Sequence, residues 1–259
     1  MKTEVLYGIH PVAEALRAGR RRIFELWIAP GRHLPRVAAV RQAADARGLP
    51  VREIPVAQLA SLAGTESHQG VAARVSTFTG EELSAVIRPP GGAGPDLILA
   101  LDLVQDPHNL GAILRTALCA GVQAVIVPKD RSAPPTPAVS RISAGALEHT
   151  RLVQVTNLVR GLELAKEGRL WVVGLDPGAR RSIFSLDGSL PLALVVGGEG
   201  KGVRPLVRKS CDILVAIPQA GPLDSLNASV AAAVALYEIV RQRRAGARSA
   251  GGADARGRG

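Results

Sequence analysis

Six short apolar runs, LILALDLV, AVIVP, RLVQV, LWVVGLD, LALVVGG and ILVAIP, recur between Asp96 and Pro218. None approaches the roughly 20 apolar residues that a bilayer span requires. They are rich in Val, Leu and Ile and lack the in–out alternation of a strand with one wet face, so both faces of each strand must be covered. Helical segments separate most of them. Strands buried on both sides and joined by helices build a parallel sheet, and the fold class is read as α/β. Ligands of such sheets bind beyond the carboxyl ends of the strands, which makes the loops after these runs the place to look for chemistry.

Ahead of that sheet, HPVAEALRAG reads as a helix, IFELWIAP as a strand and LPRVAAVRQAADARG as an amphipathic helix, followed by strand, helix and strand signals up to GVAARVSTF. This predicts a small separate α/β unit. A Pro/Gly cluster closes TGEELSAVIRPPGGAGP and marks a linker. The expected division is a first domain over 1–77, a linker over 78–95, a second domain over 96–243 and a disordered basic tail over 244–259.

The net charge of +10 sits at the two ends. Residues 1–76 hold 11 Lys/Arg against 6 Asp/Glu, residues 77–240 hold 15 against 15, and residues 241–259 hold 6 against 1. A neutral middle between basic ends suits a chain that grips a polyanion with its ends. The segment GRRRIF places Arg20, Arg21 and Arg22 together as an RNA-binding candidate, with a solvated turn as the alternative. Aromatic residues make up only 3% of the chain, so phosphate contacts rather than base stacking should carry affinity. The amino terminus has no apolar leader segment, and a cytoplasmic protein without a membrane span is expected. Cys119 and Cys211 lie in apolar segments, too few for a disulfide framework or a cysteine zinc site, and read as small core residues. No metal site is expected.

Three loops at strand ends stand out. In DPHNLGAILRTALCAG, Asn109 is placed to cap a helix that stops at Gly121, while Arg115 falls among apolar residues and needs a partner. An ion pair with Asp102 or Asp106 and a clamp on substrate phosphate are both open for it. In GGEGKGVRPLV, Glu199 lies in a glycine-rich turn whose glycines would let a ligand approach the backbone. This turn lacks the Ser or Thr of a phosphate-binding P-loop and the third glycine of a dinucleotide fingerprint, which argues against a nucleotide-dependent oxidoreductase. In IPQAGPLDSLNASVAAAVALYEIV, Asp224 or Ser225 can cap the last helix, and its small residues allow a close neighbour.

Taken together and in this order, DPHNLGAILRTA, LVVGGEGKGV and IPQAGPLDSLNASVAAAVALYE resemble the three motifs of the SpoU-type RNA 2′-O-ribose methyltransferases of the SPOUT superfamily. The resemblance spans about residues 96–240, and the portion beginning YGIHPVAEAL is similar to that family's RNA substrate-binding domain. It implies a trefoil knot at the carboxyl end of the sheet, S-adenosylmethionine as cofactor, and a homodimer whose active site draws on both subunits. It implies that Asn109, Arg115, Glu199, Ser225 and Asn227 form the catalytic set and that Gly197, Ile217 and Leu226 hold the cofactor, largely through backbone groups. Asn109 would then orient the ribose or Arg115, and Glu199 would either anchor the arginine or structure the loop. His108 and His149 lie outside the matched positions.

The two-domain layout is most similar to the family members that methylate a guanosine ribose in 23S ribosomal RNA, the expected substrate. Transfer RNA methylation by the same chemistry and a non-catalytic ribosome-assembly factor are the alternatives. Asp224 stands where related sequences often carry a smaller polar residue.

Overall fold

The computed structural model describes residues 2–31, 35–87, 97–199 and 202–254, with side chains described through residue 246. The chain divides into two compact units that interleave along the sequence: Met1–Thr79 with Leu110–Arg115 and Pro134–Thr150, and Gly80–Asn109 with Thr116–Ala133 and Arg151–Gly259.

The first unit runs β1 (Thr3–Tyr7), α1 (Ile9–Ala18), β2 (Ile23–Ile28), α2 (Pro35–Asp45), β3 (Val51–Glu53), α3 (Val56–Ala63) and β4 (Val71–Ser76). Its sheet has the order β1-β4-β2-β3, with β4 antiparallel to both neighbours and β3 parallel to β2. The period-2 alternation of strands sorts the side chains between two cores. Leu26, Ile28, Val71, Ala73 and Val75 pack with Val12 and Leu16 of α1 and Val37 and Val40 of α2. Trp27, Ala29 and Ala72 pack on the other face with Leu59 of the short α3. Pairing slips once, where Ile23 opposes Val75 and Glu25 opposes Arg74, leaving Phe24 as a β-bulge.

The later elements are α4 (Leu83–Val86), β5 (Leu97–Asp102), α5 (Pro107–Cys119), β6 (Ala124–Pro128), α6 (Pro137–Ile142), α7 (Ala146–His149), β7 (Leu152–Val155), α8 (Leu158–Glu167), β8 (Trp171–Leu175), β9 (Leu192–Gly197), α9 (Pro205–Lys209), β10 (Ile213–Val215) and α10 (Ala228–Asp254). The six apolar runs are β5 to β10. They form one sheet of order β10-β8-β9-β5-β6-β7 in which every pair is parallel. On one face Ile98, Ala100, Ile126 and Val195 pack against Leu158, Leu162 and Ala165 of α8.

Two boundaries differ from expectation. Of the linker expected over 78–95, the part up to Ile87 is packed: Leu83 and Val86, three apart on one helical turn, are buried against the sheet core, and Glu81 bridges to Val153 of β7. Residues 88–95 lie outside the described residues. The tail expected to be disordered from 244 is helical to Asp254: it prolongs α10, which its buried Ala232, Ala235, Leu236 and Ile239 already nucleate, so no new nucleus is needed even though Gly246, Gly251 and Gly252 are poor helix formers. Residues 255–259 lie outside the described residues.

Candidate active site

β5 and β9 are adjacent and end in register, Asp102 opposite Gly197. The chain beyond β9 turns tightly against the chain beyond β5. Gly198 N donates to the Asp102 carbonyl at 2.7 Å, and Leu103 takes a left-handed φ of 62°. A Cβ on Gly198 would lie 2.1 Å from the Leu103 oxygen, and one on Gly197 would lie 2.2 Å from the Gly202 carbonyl carbon. What approaches Gly197 and Gly198 so closely is the protein's own chain, where the sequence suggested a ligand. The fully buried Asp102 carboxylate holds the far side of this turn, accepting from Arg204 N (2.8 Å) and Nε (2.8 Å), with Nη2 at 2.7 Å. Asp102 is thus the partner of Arg204, and of the two roles open for Arg115 the ion pair with Asp102 is not made. Gly200 and Lys201 lie outside the described residues.

The turn presents Glu199 to two asparagines from different helix starts. Asp106, not Asn109, caps α5, its Oδ1 accepting from His108 N at 2.9 Å with Pro107 in the first helical position. Freed from capping, Asn109 is 7% exposed and donates from Nδ2 to Glu199 Oε1 at 2.7 Å. Asn227 is the cap of α10 in place of Asp224 or Ser225. Its Oδ1 accepts from Ser229 N (2.9 Å) and Oγ (2.6 Å), while its Nδ2 donates to Glu199 Oε1 (2.6 Å) and Asn109 Oδ1 (3.1 Å). Three loops distant in the chain therefore close into one triangle of hydrogen bonds. Its orientation leaves Glu199 Oε2 without a donor among the described residues.

Glu199 and Asn227 also line a cleft of ≈ 710 Å³, together with Gly197, Ser225, Ile217 and Leu226. Val196, Val203 and Val215 make its walls apolar, and Asp176, ion-paired to Arg208, and Gln219 supply polar groups. That volume and mixture suit a small-molecule ligand. Ser225 is exposed, its Oγ donating to Asp224 Oδ1 at 3.2 Å.

The SpoU rRNA Methylase family model matches residues 96–237, and the model for RNA 2′-O ribose methyltransferase substrate binding matches residues 5–79. The chain belongs to the SpoU rRNA methylase family. The 23S rRNA (guanosine-2′-O-)-methyltransferase RlmB of Pseudomonas aeruginosa is 47% identical over 242 residues, covering 93% of this chain and 97% of that protein. Among solved structures, an RNA 2′-O ribose methyltransferase superposes with a TM-score of 0.78 at 29% identity, covering 93% of this chain and 89% of its own. The SpoU methyltransferase AviRb from Streptomyces viridochromogenes, in complex with the cofactor AdoMet, superposes with a TM-score of 0.79 at 27% identity, covering 92% of this chain and 89% of its own.

In this SpoU methylase Arg115 lies six residues beyond Asn109 on α5, exposed, outside the cleft lining and without an ion pair among the described residues. The arginine triplet is split. Arg21 is 7% exposed, ion-paired to Glu4 and Glu148 and stacked over Phe78, so it is a structural residue and not an RNA contact. Arg20 donates to the carbonyls of His149 and Thr150, and only Arg22 presents an exposed guanidinium over a ring. Cys119 is exposed rather than buried. Burial pushes the Cys211 thiol up to about 11, which makes it an inert packing residue. Among the described residues no helix is long and apolar enough to cross a membrane, and no group of three or more His, Cys, Asp or Glu could hold a metal.

Sequence reasoning missed Arg204 and the Asp176–Arg208 pair. Arg204 follows the glycine-rich turn and Asp102 ends a strand, but nothing local ties residues 102 positions apart.

Proposed function

We propose that this chain transfers a methyl group from S-adenosylmethionine to the 2′-hydroxyl of a guanosine ribose in 23S ribosomal RNA. The observation that carries this reading is the convergence of Asn109, Glu199 and Asn227 at the rim of the cleft formed by Gly197, Ile217 and Leu226. Residues 1–77 are the RNA-binding domain and 96–243 the catalytic domain, with the strand-end loops wound into a trefoil knot. The site of action is the cytoplasm.

The cleft fits the cofactor on its chemistry. Apolar walls suit a purine ring, the backbone at Gly197, Ile217 and Leu226 can read its polar edge, and Asp176, Arg208 and Gln219 offer partners to an amino-acid moiety. When bound there, the cofactor supplies a methyl group on a sulfonium. The chain must then align the ribose oxygen with that methyl and assist loss of the hydroxyl proton. Asn109 and Asn227 lock Glu199 in one rotamer, so its Oε2 is a fixed acceptor for a ribose or arginine donor. Ser225 contributes a hydroxyl beside it. A guanidinium keeps its protons at neutral pH, so Arg115 acts by gripping the neighbouring phosphate and stabilising developing alkoxide charge rather than as a base.

The active unit is a homodimer. Val230 and Tyr237, seven apart on α10 and 46% and 51% exposed, and Leu223 ahead of that helix, 76% exposed, are apolar side chains that a second copy would cover.

Incubating the protein with radiolabelled S-adenosylmethionine and separated ribosomal and transfer RNA tests this. Label in 23S RNA, at one guanosine whose ribose resists alkaline cleavage, is the expected result. Label in transfer RNA alone selects that substrate, and label in neither makes the chain an RNA-binding assembly factor.

A further inference from the structure

The bulge in β2 has an electrostatic result. Along a regular strand Phe24 would share a face with Leu26 and Ile28 and enter the core under α1 and α2. The slipped register puts Ile23 against that core instead and turns Phe24 out beside Glu25, across from Arg74. There the guanidinium groups of Arg22 and Arg74 both lie over the Phe24 ring, their Cζ atoms 5.0 Å and 5.6 Å from its centroid. Arg52 of β3 extends the patch, with Nε 2.7 Å from Glu25 Oε1, and Arg74 stands 3.7 Å from the other oxygen of the same carboxylate. Arg52 and Arg74 share this one acid, and Arg22 adds a third positive charge at the ring. The side chains of Arg52 and Arg74 remain 71% and 49% exposed.

We infer that the Arg22–Phe24–Arg74 cluster, with Arg52 at its edge, is the surface through which the first unit grips the RNA phosphate backbone. The inference rests on RNA being the substrate. The ring attracts each cation and holds two like charges together that would otherwise separate, leaving a positive potential that an anion relieves. A guanidinium stacked on a ring still presents its N–H edge, the edge that binds phosphate in bidentate fashion. Stacking also restricts these long side chains before RNA arrives, which lowers the ordering cost of binding. Because the ring is already covered by guanidiniums, the cluster reads backbone and not base.

Binding of a labelled 23S RNA transcript, and of poly(U) as an unrelated strand, by the full-length protein over a range of salt decides the matter. The double variant Arg22→Ala/Arg74→Ala should raise Kd for both RNAs about tenfold or more at low salt and flatten the log Kd against log salt slope by about 1.4. Phe24→Leu, which keeps the charges but removes the ring face, should weaken binding severalfold. Arg41→Ala, which removes an exposed α2 arginine paired to Glu53, should bind as wild type. An unchanged far- and near-ultraviolet circular dichroism spectrum in each variant reports an intact fold, including that of the first unit. Wild-type affinity and slope in the double variant overturn the inference, and wild-type affinity in Phe24→Leu overturns the ring-held clamp. Loss of RNA binding in the double variant, in a protein that methylates no RNA, would leave this surface standing and remove the methyl-transfer reading instead.

Discussion

Glu199 and Asn227 meet through a single oxygen: Glu199 Oε1 accepts from Asn227 Nδ2 at 2.6 Å and from Asn109 Nδ2 at 2.7 Å. Groups sharing one acceptor act as a unit, so their removals should not add. Asn109→Ala and Glu199→Gln should each lower the single-turnover methylation rate about tenfold or more, and the double variant should be little worse than either. A coupling energy of about 1 kcal/mol or more from this double-mutant cycle is expected; additive losses would show that the two residues act independently, and unchanged rates in both single variants would remove the triangle from the chemistry.

Arg115 makes no ion pair among the described residues, so the fold does not depend on it. Arg115→Lys keeps the charge and loses the planar fork. Turnover should fall about tenfold or more while the melting temperature and RNA affinity stay near wild type. Near-normal turnover in this variant would remove the bidentate clamp from the mechanism.

The glycines of the turn differ sharply in what they tolerate. Gly198→Ala drives a Cβ into the Leu103 carbonyl, backbone against backbone, and should cost more than the about 1–3 kcal/mol of ordinary overpacking. A Cβ on Gly221 would meet nothing within 4 Å among the described residues beyond its chain neighbours, and Gly221→Ala should stay within about 0.5 kcal/mol of wild type. Chemical denaturation of both variants makes the comparison.

Burial holds the Glu148 carboxyl above its ordinary value, with Arg21 pulling the other way. A raised value in the folded state contributes stability below the ordinary carboxylate range and loses it as pH rises through the folded-state value. Glu148→Gln stands in for the protonated acid. Its melting temperature should match wild type in acid and exceed it towards neutral pH. A less stable glutamine variant at neutral pH would mean that the Arg21 ion pair outweighs burial.

How much of this could be read from the residues depended on the range of the interaction. Strands buried on both faces leave unbroken apolar runs, so β5 to β10 were legible one by one, and the carboxyl-end rule singled out the loops that form the triangle. The caps are ambiguous in sequence because Asp106 and Asn109, like Asp224, Ser225 and Asn227, all suit an N-cap, and a tertiary partner decides among them. Glu199 claims Asn109, which leaves Asp106 to the helix; Pro107 at the first helical position was the one local sign. Arg21 looked like its neighbours in GRRRIF, yet its burial depends on Glu148, far along the chain. In the linker segment the Pro/Gly end obscures the helical spacing of Leu83 and Val86, a signal too short to stand out on its own.

Asn227 faces two ways at once, its oxygen towards the backbone of α10 and its amide towards Glu199. Aspartate caps helices as well as asparagine does, so an Asn227→Asp chain should melt almost as wild type while setting two carboxylates against each other where a donor and an acceptor now meet. Surveys of this protein that score only expression or thermal tolerance would pass that change as silent. On the proposed function, this change would show in the methylation rate and not in the melting temperature.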